Sequence, residues 1–175
     1  MEQIVIKFGG TSVSTRATWN NIAAITQSHI NSGKQPIIVC SALTQISNKL
    51  EKAIDAALLD EHHSIYADIE QSHQHLAQEL EVNPSLIAHE LHQLRQWLTG
   101  IALLKQAPAK THAQILSLGE LMMTRLGHEF LQQQGINTKW YDARELLIST
   151  PALGGDLVNY LSARCDSEYD AVLVE

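Results

Sequence analysis

Cysteine is scarce in this chain, which has two thiols, Cys40 and Cys165, among its 175 residues. The two lie far apart in sequence and Cys40 falls in an apolar segment, so we expect reduced thiols in an intracellular compartment. No apolar stretch approaches the length of a membrane span, and Met1 leads almost directly into a strand-like segment, without a signal peptide. These absences predict a cytoplasmic protein with no membrane association.

Basic clusters are also missing. The 12 Lys and Arg residues are scattered and stand against 19 Asp and Glu, which gives a formal net charge of −7. Nucleic-acid-binding proteins generally present a basic face, so that class of function is disfavoured. The chain shows no internal repeats, and its length suits a single unit over residues 1–175 with a sizeable core.

The first forty residues read as strand, helix and strand. The nearly continuous apolar run Ile4–Phe8 is typical of a strand covered on both faces, and helical spacing then predicts a helix over 14–32. A second apolar run follows Pro36 over 37–40. Two strands joined by a helix predict a parallel crossover and therefore an α/β fold.

Helical patterns dominate the middle of the chain. Asn83-Pro84 and Pro108 interrupt them, and we expect a helical insertion over about 49–108 that packs beside the sheet, because its amphipathic helices need a surface to cover. Gly100 is a possible end or kink of one of these helices. The later segments are predicted to be a helix over 111–135, a strand over 138–141, a turn or short helix over 142–147, a loop over 150–155, a helix over 156–165 and a last buried strand over 171–174.

The turn after the first strand has the composition of an anion site. Gly9 and Gly10 let backbone approach a ligand, and Thr11 and Ser12 add hydroxyls before the next helix. Lys7 interrupts the apolar strand and would need a charged partner if it were buried. The turn is neither a Walker loop nor a dinucleotide fingerprint, because both spacings are missing.

Two other segments qualify as ligand sites. The hydroxyl-rich stretch 41–48 follows the second strand, where open α/β sheets bind ligands. Glu120 lies on an apolar stripe of the helix over 111–135, so its carboxylate needs compensation. Either it pairs with a structural cation, such as Arg125 or Lys110, or it is a functional carboxylate that faces Lys7. Gly119 is costly inside a helix and indicates a close approach by another element.

Histidine is abundant, with nine residues, but no metal site is predicted. His89 and His92 share a helix face, yet we find no cysteine or carboxylate spaced to complete a compact ligand set. We expect these and the other histidines of the helical region to lie on solvated faces; they are His62, His63, His73 and His75.

The heptapeptide KFGGTSV at residues 7–13 resembles the opening signature of the aspartokinases, members of the amino acid kinase superfamily. The segment 41–48 is similar to the serine-alanine segment of that family, with Ser47 where threonine is usual. Residues 118–122 and 140–144 also resemble family segments. The resemblance implies the N-terminal portion of a three-layer α/β/α sandwich with a mostly parallel sheet.

The resemblance further implies phosphorylation of L-aspartate by ATP with Mg²⁺, giving 4-phospho-L-aspartate for lysine, threonine and methionine biosynthesis. Lys7 would act as the catalytic cation and would bind phosphate with Gly9, Gly10, Thr11 and Ser12; Ser47 and Glu120 would hold the amino acid. No metal ligand is implied among these residues. The nucleotide lobe and the regulatory domains would lie outside these residues.

We therefore expect the chain alone to be inactive and the full-length enzyme to be a homo-oligomer. A kinase for glutamate, a carbamate or a nucleotide, and a non-catalytic binding or regulatory module, stay open as alternatives.

Overall fold

The computed structural model describes residues 2–150, 155–161 and 164–167. Strand β1 (Glu2–Phe8) pairs in parallel with β2 (Lys34–Cys40), from Glu2 opposite Lys34 to Phe8 opposite Cys40. Helix α1 (Arg16–Asn31) connects them. The predicted strand, helix and parallel strand are confirmed.

Local signals fix the ends of α1. The Thr15 hydroxyl accepts from the backbone N–H of Thr18 at 3.3 Å, and the Thr18 hydroxyl accepts from the backbone N–H of Thr15, which forms a capping box. After the helix, Gly33 takes a left-handed conformation with φ of +78°.

Four long helices fill the middle of the chain. They are α2 (Ile46–Leu58), α3 (His63–Leu80), α4 (Ala88–Leu104) and α5 (Ala109–Gln133). Asn83 caps a short 3-10 turn, Pro84–Ile87, and Pro108 directly precedes α5, so both predicted breaks are confirmed. Gly100 does not end a helix, since α4 continues for four residues beyond it.

Helix α5 is the centre of the core. It packs against α1, α2, α3, α4 and β2, and most of its residues between Ile115 and Leu131 are buried. Trp19 of α1 lies edge-on against Phe130, with ring centroids 6.1 Å apart. The helices of the middle region share this one apolar cluster with the elements around the sheet.

The open face of the sheet contradicts the expectation of a strand covered on both sides. Val5 is 66% exposed, Val39 is 45% exposed, and Lys7 is exposed on the same face. The described part of the sheet containing β1 has two strands, and its other face carries the partly buried Ile4, Ile6 and Phe8. The apolar run therefore reflects one packed face rather than two.

The segment 138–141 is not a strand, so that prediction is wrong. Its polar groups bond to side chains of α5 instead of to a neighbouring strand: Gln132 donates to the Thr138 carbonyl, and the Trp140 indole donates to the Thr124 hydroxyl at 3.0 Å. A short helix, α6 (Ala143–Leu146), follows as predicted.

An antiparallel pair that the sequence did not predict lies near the end of the described chain. Strand β3 (Leu147–Thr150) pairs with β4 (Arg164–Ser167), and α7 (Gly155–Leu161) lies between them in sequence. β4 takes two positions that had been predicted as the end of a helix, and the predicted strand over 171–174 lies outside the described residues. Within the described residues, no helix combines the length and apolarity that a membrane crossing needs.

Candidate active site

The glycine turn is a tight backbone structure at the carboxyl end of β1. Gly9 is extended, the turn Gly10–Val13 is 3-10 helical, and the Ser12 N–H donates to the Gly9 carbonyl at 2.9 Å. Val13 is buried beneath it, whereas Thr11 is exposed. The turn is therefore held by the buried Val13 on one side and exposed to solvent at Thr11, as an anion-binding site requires.

Lys7 lies beside this turn in an exposed position. A Cβ added to Gly9 would lie 3.9 Å from the Lys7 Nζ, so the ammonium is next to the glycine backbone. Lys7 forms no ion pair with any described residue. The expectation of a buried lysine needing a charged partner is wrong because this face of the sheet is open, which leaves the ammonium free to meet an anion.

A hydroxyl pair ties the glycine turn to the loop after β2. The Ser14 hydroxyl donates to the Gly10 carbonyl at 2.6 Å, lies 3.0 Å from the Thr44 hydroxyl and accepts from the Thr44 N–H at 3.2 Å. The Ser41 N–H also donates to the Phe8 carbonyl, which continues the strand pairing into the loop. The two predicted ligand loops are thus one connected structure.

These loops line an open surface cavity of about 250 Å³. Five of its lining residues have polar side chains; all lining residues are Gly10, Ser41, Ala42, Leu43, Thr44, Gln45, Ser47 and Asn48. Gln45 is the N-cap residue of α2 and has a left-handed conformation, with φ of 67°. Its side chain makes no capping bond to the helix backbone but accepts a hydrogen bond from the Asn48 side chain at 2.9 Å. Ser47 and Asn48 of the first turn of α2 line the cavity, so the N-terminal end of the helix, whose dipole favours an anionic group, lies beside it.

Glu120 reaches the same loop from α5. Its Oε1 accepts a hydrogen bond from the Ala42 N–H at 3.4 Å. Burial raises the pKa of Glu120, and the bond from Ala42 lowers it in part. A half-buried carboxylate with one long hydrogen bond is undercompensated, so an ammonium group placed there would be stabilised.

Close packing at Gly119 brings α5 to this loop. An added Cβ would lie 3.0 Å from the Ala42 Cβ, 3.1 Å from the Ile46 Cγ2 and 3.2 Å from the Leu50 Cδ1. These distances are shorter than ordinary carbon contacts of about 3.5–4.0 Å. The predicted close approach is confirmed, and the approaching element is the start of α2.

Arg125, one of the cations proposed as a structural partner of Glu120, pairs elsewhere. Its Nε lies 2.7 Å from Oε1 of the buried Glu90 on α4, and its guanidinium stacks over Trp140 at 4.1 Å from the ring centroid. Lys110 forms no ion pair with any described residue. This cluster fastens α4 and the segment before α6 to α5 and leaves the Glu120 carboxylate for another partner.

Comparison with known proteins places the chain in a family. The model for the amino acid kinase family matches residues 2–173. The chain belongs to the amino acid kinase family. Aspartokinase 2 of Arabidopsis thaliana, a chloroplastic protein, is 33% identical over 147 residues, which cover 81% of this chain and 27% of that protein.

Bacterial relatives agree with this likeness. Lysine-sensitive aspartokinase 3 of Escherichia coli K12 is 30% identical over 87% of this chain and 34% of its own length. The crystal structure of E. coli aspartokinase III in complex with aspartate and ADP superposes with a TM-score of 0.71 at 24% identity, covering 93% of this chain and 37% of that one. The α/β fold expected from the sequence is confirmed, and the chain spans about a third of the length of these relatives.

In this member of the amino acid kinase family the predicted site residues fall into two groups. Gly10 and Ser47 line the cavity, and Glu120 touches its wall at Ala42. Lys7 and Gly9 lie together on the β1 side of the turn, outside the cavity wall. Sequence reasoning did not identify Ser14 as the link between the two loops, although its hydroxyl directly follows the heptapeptide and could have suggested one.

Proposed function

We propose that the chain is the amino-acid-binding part of an aspartate kinase. One observation carries the proposal: Gly10 and Glu120 meet the same residue from two sides, Gly10 against the Ala42 carbonyl oxygen and Glu120 at the Ala42 N–H. A phosphate-binding turn and a carboxylate suited to an ammonium group are thereby held across one loop. The likeness to aspartokinases, one of them solved with aspartate and ADP, supports aspartate as the substrate.

The reaction transfers a phosphoryl group between two anions. An oxygen of the aspartate β-carboxylate attacks the γ-phosphorus of ATP, the bond to the β-phosphate oxygen breaks, and ADP leaves with the electron pair. Mg²⁺ arrives with ATP as part of the substrate. Such a transfer depends on positioning and on neutralising charge rather than on covalent catalysis by the protein.

Each predicted residue has a role in this scheme. The Lys7 ammonium neutralises charge on the transferring group, beside the backbone of Gly9 and Gly10 and the hydroxyls of Thr11 and Ser12. The Glu120 carboxylate receives the ammonium of aspartate. Ser47, exposed in the first turn of α2, donates its hydroxyl to a substrate carboxylate.

The relatives extend well beyond the region that this chain matches, since 27% and 34% of their lengths are covered. We propose that turnover requires the nucleotide-binding part carried by the complete enzyme, which acts as a homo-oligomer, and that the 175 residues alone bind aspartate without phosphorylating it. Calorimetric titration with L-aspartate tests this directly. Glu120→Gln should weaken binding at least tenfold, because an amide cannot neutralise the ammonium.

Turnover is tested in the complete enzyme by trapping the acyl phosphate with hydroxylamine. Lys7→Ala should lower turnover at least a hundredfold, since a fixed cation at the reacting group contributes about 3–4 kcal/mol. Lys34→Ala is the matched control, because Lys34 is also a strand lysine but lies at the other end of the sheet, 3.9 Å from Glu2. Near-normal turnover of Lys7→Ala would refute the role of Lys7.

Substrate identity needs its own comparison. Hydroxamate formation is expected with L-aspartate and not with L-glutamate or carbamate, and ADP release should not respond to added nucleoside monophosphates. A preference for any of these would assign the chain to another branch of the amino acid kinase family while leaving the fold assignment unchanged.

A further inference from the structure

Three potential metal ligands meet in the turn between α2 and α3. Asp60, His62 and His63 each offer one ligand atom, and these atoms all lie within 4.8 Å of one another. The sequence had suggested no carboxylate suitably spaced for these histidines. Asp60 was not predicted as a ligand because a backbone turn, rather than helical spacing, brings it close to the His62 and His63 imidazoles.

His62 is the buried member of this group; like the buried His73, it was wrongly expected to lie on a solvated face. His62 is 3% exposed, and its Nδ1 is buried without a hydrogen-bond partner among the described residues. A buried polar atom of this kind is costly and usually has a partner.

The backbone holds the three residues in place. Asp60 takes a left-handed conformation with φ of 63°, and its N–H donates to the Ala57 carbonyl at 3.0 Å. The next amide, of Glu61, donates to the Ala56 carbonyl at 2.9 Å. His63 begins α3, and its ring lies 4.3 Å from the His62 ring, centroid to centroid. The turn is therefore anchored at the end of one helix and the start of the next.

We propose that Asp60, His62 and His63 bind a divalent transition metal ion of the zinc class. Two imidazoles and one carboxylate suit zinc, copper or nickel, whereas magnesium and calcium prefer oxygen ligands alone. Ligand atoms around a tetrahedral zinc lie about 3.4 Å apart, because the bonds to the metal are about 2.0–2.1 Å long. Side-chain rotation would bring the three ligand atoms from their present spacing, within 4.8 Å, to that distance. Water supplies the fourth ligand.

The site is separate from the proposed kinase chemistry. It lies beyond the C-terminal end of α2, whereas the cavity lies at the N-terminal end, about 20 Å away along a helix of 13 residues. Binding there would join α2 to α3 and stabilise the fold without touching the substrate. Aspartate binding is therefore expected to be unaffected by loss of the metal.

The test uses the 175-residue chain, stripped with a chelator and titrated with ZnCl₂ by calorimetry in a non-coordinating buffer. We expect one saturable site and a rise in the unfolding midpoint of about 5 °C at a hundredfold excess over Kd. His63→Ala and Asp60→Asn should each weaken zinc binding at least tenfold; both residues are exposed, so the variants should fold. His89→Ala, an exposed histidine on α4, is the matched control and should change binding less than twofold.

Cobalt substitution gives an independent readout. Co²⁺ bound by the three ligands should show visible absorption bands that His63→Ala abolishes and His89→Ala retains. The proposal is overturned if wild type shows no saturable site below millimolar zinc, or if His63→Ala and His89→Ala lose affinity equally, since that would indicate scattered surface histidines.

Discussion

Gly127→Ala should destabilise the chain even though alanine is the better helix former. Gly127 lies inside α5, where the methyl group of an alanine would overlap Cη2 and Cζ2 of Trp19 and lie 2.8 Å from its Cζ3. Trp19 cannot easily move away. It is 1% exposed, its indole donates to the Val13 carbonyl at 2.9 Å, and its ring packs against Phe130.

The magnitude follows from two opposing terms. Replacing glycine by alanine in a helix interior gains about 1 kcal/mol. Overpacking a filled core costs about 1–3 kcal/mol, and direct overlap with a rigid, hydrogen-bonded ring belongs at the upper end of that range. We therefore expect a net loss of about 2 kcal/mol, or a fall of about 4–8 °C in the unfolding midpoint.

Gly100→Ala is the control for this prediction. Gly100 lies inside α4, and an added Cβ would meet nothing within 4 Å, so the helix-propensity gain of about 0.5–1 kcal/mol should appear undiminished. Urea unfolding followed by far-UV circular dichroism measures both variants without relying on tryptophan fluorescence. If the two substitutions shift stability in the same direction, the packing of Gly127 against Trp19 is wrong.

A second variant separates the overlap from other effects. Trp19→Phe removes the part of the ring that the methyl group would strike, so Gly127→Ala should cost less in the Trp19→Phe background than in wild type. A coupling of at least about 1 kcal/mol in this double-mutant cycle is expected. Additive effects would place the cost of Gly127→Ala elsewhere in the core.

The titratable groups and the packing at the site give three further expectations. Burial raises the pKa of Glu120, so the folded chain stays protonated there to a higher pH than the unfolded chain, and the free energy of unfolding falls as pH rises from the unfolded pKa through the folded pKa. Glu120→Gln should therefore be more stable than wild type in urea at pH 7.5 and equally stable below about pH 4. Equal stability at both pH values would contradict this. Burial lowers the pKa of His73 to about 4, so the contribution of the neutral imidazole to the free energy of unfolding is complete above about pH 6.5 and is lost as pH falls toward 4. The loss should be about 3 kcal/mol, and His73→Leu should remove this pH dependence. A ring proton of His73 that titrates near pH 6.5 in NMR spectra would disprove this prediction. Gly119→Val should weaken aspartate binding severalfold by pushing Ala42 aside, whereas Gly100→Ala should leave calorimetric binding unchanged.

The beginning of the fold was predictable because each boundary carries a local signal. Thr15 and Thr18 form the capping box of α1, and Gly33 supplies the left-handed residue after it. Glu120 was predictable for a different reason. A carboxylate on an apolar stripe must either find a partner or raise its pKa, and here it does both in part, with one bond from Ala42 and a raised pKa.

Features that depend on distant contacts were not predictable from pattern. The residues around Trp140 have strand-like composition, but their polar groups bond to Thr124 and Gln132 of α5. The apolar run of β1 could not show that one face of the strand stays open, because Val5 looks the same in sequence whether or not an element covers it. The ligand set at Asp60 likewise depends on a positive φ at that residue, which was not predicted from the sequence.

Ala42 explains why the glycine turn and Glu120 could each be predicted as site elements from the sequence, whereas the connection between them could not. Its carbonyl lies against Gly10, its N–H bonds to Glu120, and its Cβ faces Gly119. A side chain larger than alanine at this position would meet α5, and a side chain at Gly10 would meet the Ala42 carbonyl at 3.0 Å. Three small residues from three segments are therefore needed at once to hold the glycine turn and the carboxylate across a single peptide, and Ala42 is the residue that links α5 to the glycine turn.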